Sequence, residues 1–348
     1  MDNKILERAL EKLGIGGEVS VCETPVNVKS FGRKKLSKIE ITHSQGKINL
    51  ICKVCSQKDM PMFLSGNPGK REQIFYESEL AEELEKHFFL PHLIVFNKSI
   101  LMWDVDTELK SFGPPNIPTE KQMRTIIQTL ARKDATTLHT NQPWLAKYGE
   151  IYSNTGQLFR ALAEPTKSPD LVKQCRREWP WLEQGYLAFA KKHPGKAIAL
   201  QQAYADPAFT SALEHFPHSV QHGDFYFNNI GLNQGNEVVA IDWENVMWGP
   251  VGFDFSTLVN GMPELPYSKN YLSWYVTEFN AVSPITLSDK QAHALQSTFE
   301  PWLFLTSELL DGFRFGYCPD SPLPLEHREA IRQQMLAKLD ELKPSQQL

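Results

Sequence analysis

The sequence has no long apolar run. Nothing in its 348 residues approaches the ~18 consecutive apolar positions of a membrane-spanning helix, so no membrane partner is expected. The first residues, MDNKILERALEKLGI, read as a charged amphipathic helix. They lack the basic start, apolar block and small-residue cleavage site of a secretion signal, and a cytoplasmic protein is the expectation. Cysteine is scarce: five residues, an odd number, argue against a disulfide framework and for a reducing compartment. Basic excess is missing as well. With 36 Lys and Arg against 41 Asp and Glu the net charge is −5, and no nucleic acid partner is called for. There is no internal repeat and no low-complexity tract.

What is present is the ordinary composition of a folded chain, 41% hydrophobic and 22% charged, long enough for two domains or one large bilobal unit. Residues 1–105 read as mostly strand. VSVCETPVNV, KLSKIEITHSQ and KINLICKVC alternate apolar with polar residues, with a turn at Gln45-Gly46. One helix is expected over GKREQIFYESELAEELEKHF, with Ile74, Phe75, Leu80 and Leu84 as its apolar stripe, followed by the short strands LIVFNKS and ILMWDV. The segment 106–118, rich in proline, continues neither element and reads as a linker. From 119 onward the chain reads as helical. Thr119 and Gln122 form a capping-box pattern opening a helix to about Asn141. Further helices are expected over 169–193, 206–216, 268–280, 287–312 and 324–342. A hairpin near 220–244 interrupts them. The two parts predict a cleft between lobes, the usual place for a ligand.

Within that hairpin, QHGDFYFNNIGLNQGNEVVAIDWE spans Gln221 to Glu244. Asp224 precedes Asn229 by five positions, so one loop can present both to a small volume. The turn Asn233-Gln234-Gly235-Asn236 returns the chain, and the strand VVAIDW brings Asp242 back near Asn229. Carboxylate and amide oxygens together are hard ligands suited to Mg²⁺, which retains waters and also binds phosphates. A carboxylate outside the metal set can accept a hydroxyl proton.

HGDFYFNNI, IDWE and GPVGFDFSTLV occur in that order and resemble the motifs of the aminoglycoside phosphotransferase and choline kinase superfamily, kinase-like phosphotransferases of small molecules. The resemblance covers roughly residues 20–260. It implies an α+β, bilobal protein-kinase-like fold: a small β-rich N-terminal nucleotide-binding lobe (1–105), a hinge (106–118) and a larger, mostly helical catalytic and acceptor-binding lobe (119–348). It also implies ATP-dependent transfer of the γ-phosphoryl group to a hydroxyl of a small molecule, with ATP (GTP possible) and Mg²⁺ as cofactors. Asp224 becomes the catalytic base, Asn229 and Asp242 the metal ligands, and Asp254 a buttress of the catalytic loop. Lys53 would reach the α- and β-phosphates, Glu72 would pair with it, and Ile51 would touch the adenine. Met102, Trp103, Asp104 and Val105 would form the hinge backbone that meets the base.

Other features carry weaker readings. The basic cluster Lys29, Arg33, Lys34 and Lys35, with the single glycine Gly32, stands where a phosphate-covering loop belongs; a solvated hairpin tip is the plainer account. His222 reads as structural. Cys52 and Cys55 form a CxxC, but a strand puts their thiols on opposite faces, so they read as core residues. Most of the C-terminal aromatics (Trp243, Trp248, Tyr267, Tyr271, Trp274, Tyr275, Trp302, Phe313, Tyr317) should be core, with a few left for an acceptor pocket. An acidic balance beyond residue 255 reads as surface charge first and an acceptor pocket second. A monomer or homodimer is expected. The alternative to an enzyme is a nucleotide-binding pseudokinase. A protein kinase fits poorly, because no activation segment separates Asp242 from the segment holding Asp254.

Overall fold

The computed structural model describes residues 3–26, 35–55, 68–105, 110–111, 116–207, 216–261 and 265–342. Most of the basic cluster at 29–35, much of the linker 106–118 and nearly all of the expected helix at 206–216 lie outside them.

An N-terminal helix, α1 (Asn3–Lys12), precedes three antiparallel strands, β1 (Ser20–Val26), β2 (Lys35–His43) and β3 (Gly46–Val54). Helices α2 (Pro68–Tyr76) and α3 (Glu79–Leu84) follow, then β4 (His92–Phe96) and β5 (Ser99–Trp103). The strands form one sheet in the order β1-β2-β3-β5-β4. Alternation along β3 sorts its side chains. Leu50 and Cys52 pack with Ile5 and Ala9 of α1 in a small separate core. Cys55 joins the main core, and Ile51 packs against it. The two thiols therefore do lie on opposite faces, and all five cysteines are free.

The single helix expected over 69–88 is two. Ser78 adopts an extended backbone (φ −98°, ψ 155°), and its hydroxyl donates to the Phe75 carbonyl at 2.6 Å. A serine that bonds the preceding turn offers the backbone an alternative to helix. The break still lets Phe75, Leu80 and Leu84 bury together.

A short strand, β6 (Lys110–Ser111), leads to α4 (Glu120–Thr136), which opens on the full Thr119–Gln122 capping box and stops earlier than expected. Then come β7 (Ala146–Lys147), α5 (Tyr148–Ala163), α6 (Pro169–Glu178), α7 (Pro180–Lys192) and α8 (Pro194–Ala205). The sequence reading missed α5 and α8 and merged α6 with α7. Pro180 and Pro194 explain the breaks: each starts a helix, and the residue before it, Trp179 or His193, is pushed out of the helical region.

Strands β8 (His218–Gln221), β9 (Ile230–Leu232), β10 (Val238–Ala240) and β11 (Met247–Pro250) carry the central motifs. β9 and β10 form the expected hairpin, with β6 added to its edge; β11 lies between β7 and β8. Helices α9 (Phe253–Asn260), α10 (Tyr271–Val282) and α11 (Asp289–Leu303) follow. Beyond α11 the expected straight helix becomes two π-helical stretches, Phe304–Glu308 and Gly312–Tyr317, before α12 (Leu325–Glu341). The Leu305 carbonyl in the first stretch accepts the Tyr204 hydroxyl, the kind of outside contact that accompanies a widened turn. Of the C-terminal aromatics, Trp243, Tyr271, Tyr275, Trp302, Phe313 and Tyr317 are buried, while Trp248, Tyr267 and Trp274 are half-buried.

The molecule is α+β, a β-rich N-terminal part followed by a mostly helical one. Among the described residues no helix is long and apolar enough to cross a membrane.

Candidate active site

Lys53 leaves β3 toward the helical lobe, and its side chain is only 5% exposed. It forms an ion pair with Glu72 of α2, which is fully buried, and donates to Oδ1 of Asp242 at 2.6 Å. Burial works against the charge on this ammonium, but Glu72, Asp242 and Glu244 together outweigh it and hold the pKa well above the ordinary lysine value. Lys53 is thus a fixed cation joining the sheet lobe to the helical lobe.

Asp242 stands between β10 and a 3₁₀ turn, Trp243–Asn245. Its backbone is left-handed (φ 66°, ψ 56°), a conformation that Asp tolerates better than most residues. This twist directs the carboxylate back toward Lys53 rather than along the strand. Carboxylate oxygens of Glu72, Asp242 and Glu244 all lie within 4.8 Å of one another.

The loop after β8 supplies the other half. The side-chain amide of Asn229 donates to both the Oδ2 and the backbone oxygen of Asp224, each at 2.9 Å. That fixes the separation of the two residues and turns the amide oxygen of Asn229 away from the carboxylate. The Asn229 carbonyl accepts the Ile241 N–H at 2.9 Å, which ties this loop to the residue before Asp242. His222 bridges the same two segments: its Nε2 lies 2.8 Å from the Ile241 carbonyl, and its Nδ1 accepts the Asp224 N–H at 3.3 Å. Burial lowers the His222 pKa and keeps the ring neutral, as a residue used for architecture requires. Gly223, at φ 81°, packs so closely on the turn that an added Cβ would meet the Asn245 carbonyl at 2.3 Å.

Beneath the loop, Asp254 at the start of α9 accepts the N–H groups of His222 and Gly223 at 2.7 and 3.0 Å. It also pairs with Lys133 of α4 at 2.9 Å. Lys133 is completely buried; burial lowers its pKa, and Asp134 and Asp254 reverse the effect. Asp134 extends the network to Ser219 and Gln221 at 2.8 and 2.7 Å, and to the Tyr275 hydroxyl. Two carboxylates and one ammonium, all interior, therefore brace the loop from below.

The structure brings Lys53, Glu72 and Asp242 together and pairs Asp224 with Asn229, whose carbonyl is tied to Ile241, the residue before Asp242. Ile51 is half-buried and opposite Met102 in the ladder. The expected hinge is arranged differently in detail. The Trp103 N–H donates to Pro91, the Asp104 N–H to Asn49, and the Asp104 carboxylate accepts from Lys38 at 3.1 Å. Trp103 packs on the small core, so these two residues direct their donors and side chains into the sheet lobe. Val105 is half-buried at the end of this stretch.

Sequence reasoning missed Arg71, Glu244, Lys133, Asp134 and Gln221. Lys133 and Asp134 left a trace, a charged pair on the otherwise apolar face of α4. Arg71, 5% exposed next to Glu72, donates to the Glu244 carbonyl at 3.1 Å and looks in sequence like any helix-surface arginine.

The donor set fits Mg²⁺. The Asp242 carboxylate and the Asn229 amide oxygen, the latter held in place by that side chain's own N–H bonds, are both hard oxygen donors of the kind this ion takes. The neighbouring Lys53 ammonium, held by the buried Glu72, suits phosphate oxygens next to such an ion.

Residues 121–281 match the model of the phosphotransferase enzyme family. No curated protein matches the chain. Solved structures share the fold at low identity. An ethanolamine kinase from Plasmodium vivax is 13% identical with a TM-score of 0.53, over 91% of this chain and 81% of that one. The streptomycin–ATP ternary complex of APH(2″)-IIa is 12% identical with a TM-score of 0.52, over 99% and 97%. A microcompartment-associated aminopropanol kinase is 13% identical with a TM-score of 0.52, over 97% and 95%.

Proposed function

We propose that this chain, whose residues 121–281 match the phosphotransferase enzyme family, is a phosphotransferase of the aminoglycoside phosphotransferase and choline kinase superfamily that transfers the γ-phosphoryl group of ATP to a hydroxyl of a small-molecule acceptor. The observation that carries the reading is the meeting of Lys53 and Glu72 of the sheet lobe with Asp242 of the helical lobe, the segment before Asp242 being tied by backbone to the Asp224–Asn229 loop. Phosphoryl transfer needs little covalent help from a protein; it needs charge and alignment.

Asp224 is the proton acceptor. Its carboxylate is oriented by the Asn229 amide, and its backbone is fixed through His222 and Asp254, so it can hold an acceptor hydroxyl in line and take the proton as transfer proceeds. Lys53, locked as a cation by Glu72, neutralises the nucleotide's α- and β-phosphates. Asn229 and Asp242 would hold Mg²⁺, which would supply positive charge to offset that of the phosphates. The left-handed turn at Asp242 keeps its carboxylate aimed at the Lys53 side of the site. The printed names of the structural relatives, an ethanolamine kinase, an aminopropanol kinase and a streptomycin complex, make amino alcohols and aminoglycosides the first acceptors to try.

The test is a screen of such acceptors with Mg·ATP, following ADP, on the wild type and on Asp224→Ala and Asp242→Ala. Both variants should lose at least about a thousandfold in turnover, the scale seen when catalytic groups of a concerted site are removed. Wild-type turnover in either variant overturns the assignment. Nucleotide binding with no transfer to any acceptor favours a nucleotide-binding protein without catalysis.

A further inference from the structure

We infer that Arg71 is a positioning residue: it ties the helix carrying Glu72 to the turn presenting Asp242, so the two carboxylates that flank Lys53 keep one fixed spacing. This rests on the phosphotransfer reading of the site and adds a residue to it.

Three observations converge. The first is contact. Arg71 is buried, immediately precedes Glu72, and its Nη1 donates to the Glu244 carbonyl at 3.1 Å. Four residues along the same face of α2, the Phe75 ring stacks on Trp243 at 4.5 Å and 16°. One helix face thus grips two consecutive residues of the 3₁₀ turn that follows Asp242.

The second is backbone geometry. Asp242 is one of three non-glycine positions with positive φ among the described residues, alongside Asn97 and Asn236. Such a conformation persists only where its surroundings hold it. The Glu244 carbonyl, two residues on, gives Arg71 a direct hold on that turn.

The third is charge. Glu72, Asp242 and Glu244 crowd around the single ammonium of Lys53. Arg71 feels the Glu244 charge while burial pulls its pKa down to about 10, so it remains a cation at neutral pH and offsets the third carboxylate. A guanidinium whose only task was filling space would be costly in such a place.

The geometry has a functional consequence. A nucleotide and its metal need Lys53 and Asp242 at a set separation, and that separation depends on how α2 sits against the turn. Arg71 and Phe75 set that docking within the chain itself.

The test compares wild type with Arg71→Met, which keeps bulk without the hydrogen bond, and Arg71→Lys, which keeps a charged donor. In ligand-free protein, amide exchange over 242–246 should quicken about tenfold or more in the Met variant, the size expected for losing one charge-assisted hydrogen bond. Exchange in α9 should stay as in wild type. The Mn²⁺ concentration for half-saturation with a fluorescent ATP analogue should rise by about the same factor, and Lys should recover much of both losses. If the Met variant does not fold, the Lys variant alone should show an intermediate effect confined to 242–246. Unchanged exchange there, an equal change throughout the protein, or an unaltered Mn²⁺ requirement each overturns the inference. A wild type that binds no metal–nucleotide defeats the phosphotransfer reading instead, and the ligand-free exchange comparison still decides the role of Arg71.

Discussion

Lys53 and Asp242 are 189 positions apart in the chain, yet Nζ of one lies 2.6 Å from Oδ1 of the other. One comes from a sheet strand and the other from the turn behind a hairpin of the helical lobe, so this bond closes the site across two independently built halves. Its consequences can be measured.

Replacing Lys53 by Met leaves three neighbouring carboxylates facing one another, one of them fully buried. The variant should lose about 3 kcal/mol of unfolding free energy, the scale for breaking a buried ion pair from one side. The pKa of Lys53 is raised, so its contribution is fully present below the ordinary lysine value and is lost only as pH climbs past the folded value. Urea denaturation at pH 6 and pH 9 should therefore give the same cost; a cost that shrinks by pH 9 contradicts a locked cation.

Gly223 occupies a left-handed position against the Asn245 carbonyl. Gly223→Ala needs both a strained backbone and a shift of the 242–245 turn, and should cost about 2 kcal/mol or more by chemical denaturation. Activity should fall further than stability explains, because the shift moves Asp224 and Asp242 relative to each other. A fully active Ala variant at temperatures well below its Tm would show that the loop packing is not what aligns them.

Acid should weaken the fold through histidines that are neutral when folded. Burial pulls His92 down to about 4 from 6.5, and lowers His222 too. With depressed folded values, the unfolded chain binds more protons between about pH 4 and 6.5, so stability rises with pH across that window and levels off above it. Unfolding free energy at pH 5 should be smaller than at pH 7, and His92→Gln should narrow the difference. An identical difference in the variant would remove His92 from the account.

Much of the site is legible in the sequence because its geometry is local. Asp224 and Asn229 lie in one loop, and a short hairpin returns the chain to Asp242; such spacing survives any arrangement of the rest. Strand alternation sends Lys53 and Cys52 to opposite faces for the same reason. Helix starts at Thr119, Pro169 and Pro180 were visible or recoverable from their own residues. The break at Ser78 was not, because it depends on a serine choosing a carbonyl in the preceding turn over the helix.

What the sequence determined alone was the residue chemistry: which oxygens and which cation are present, in what order, and on which face of each strand. Tertiary structure decided the partners. Nothing local shows that Arg71 reaches a carbonyl 173 residues away, or that Lys133 and Asp254 meet beneath the Asp224–Asn229 loop across 121 residues. Those contacts form because burying charged groups is tolerable only where opposite charges and hydrogen bonds receive them, and the packing of whole elements fixes where that is.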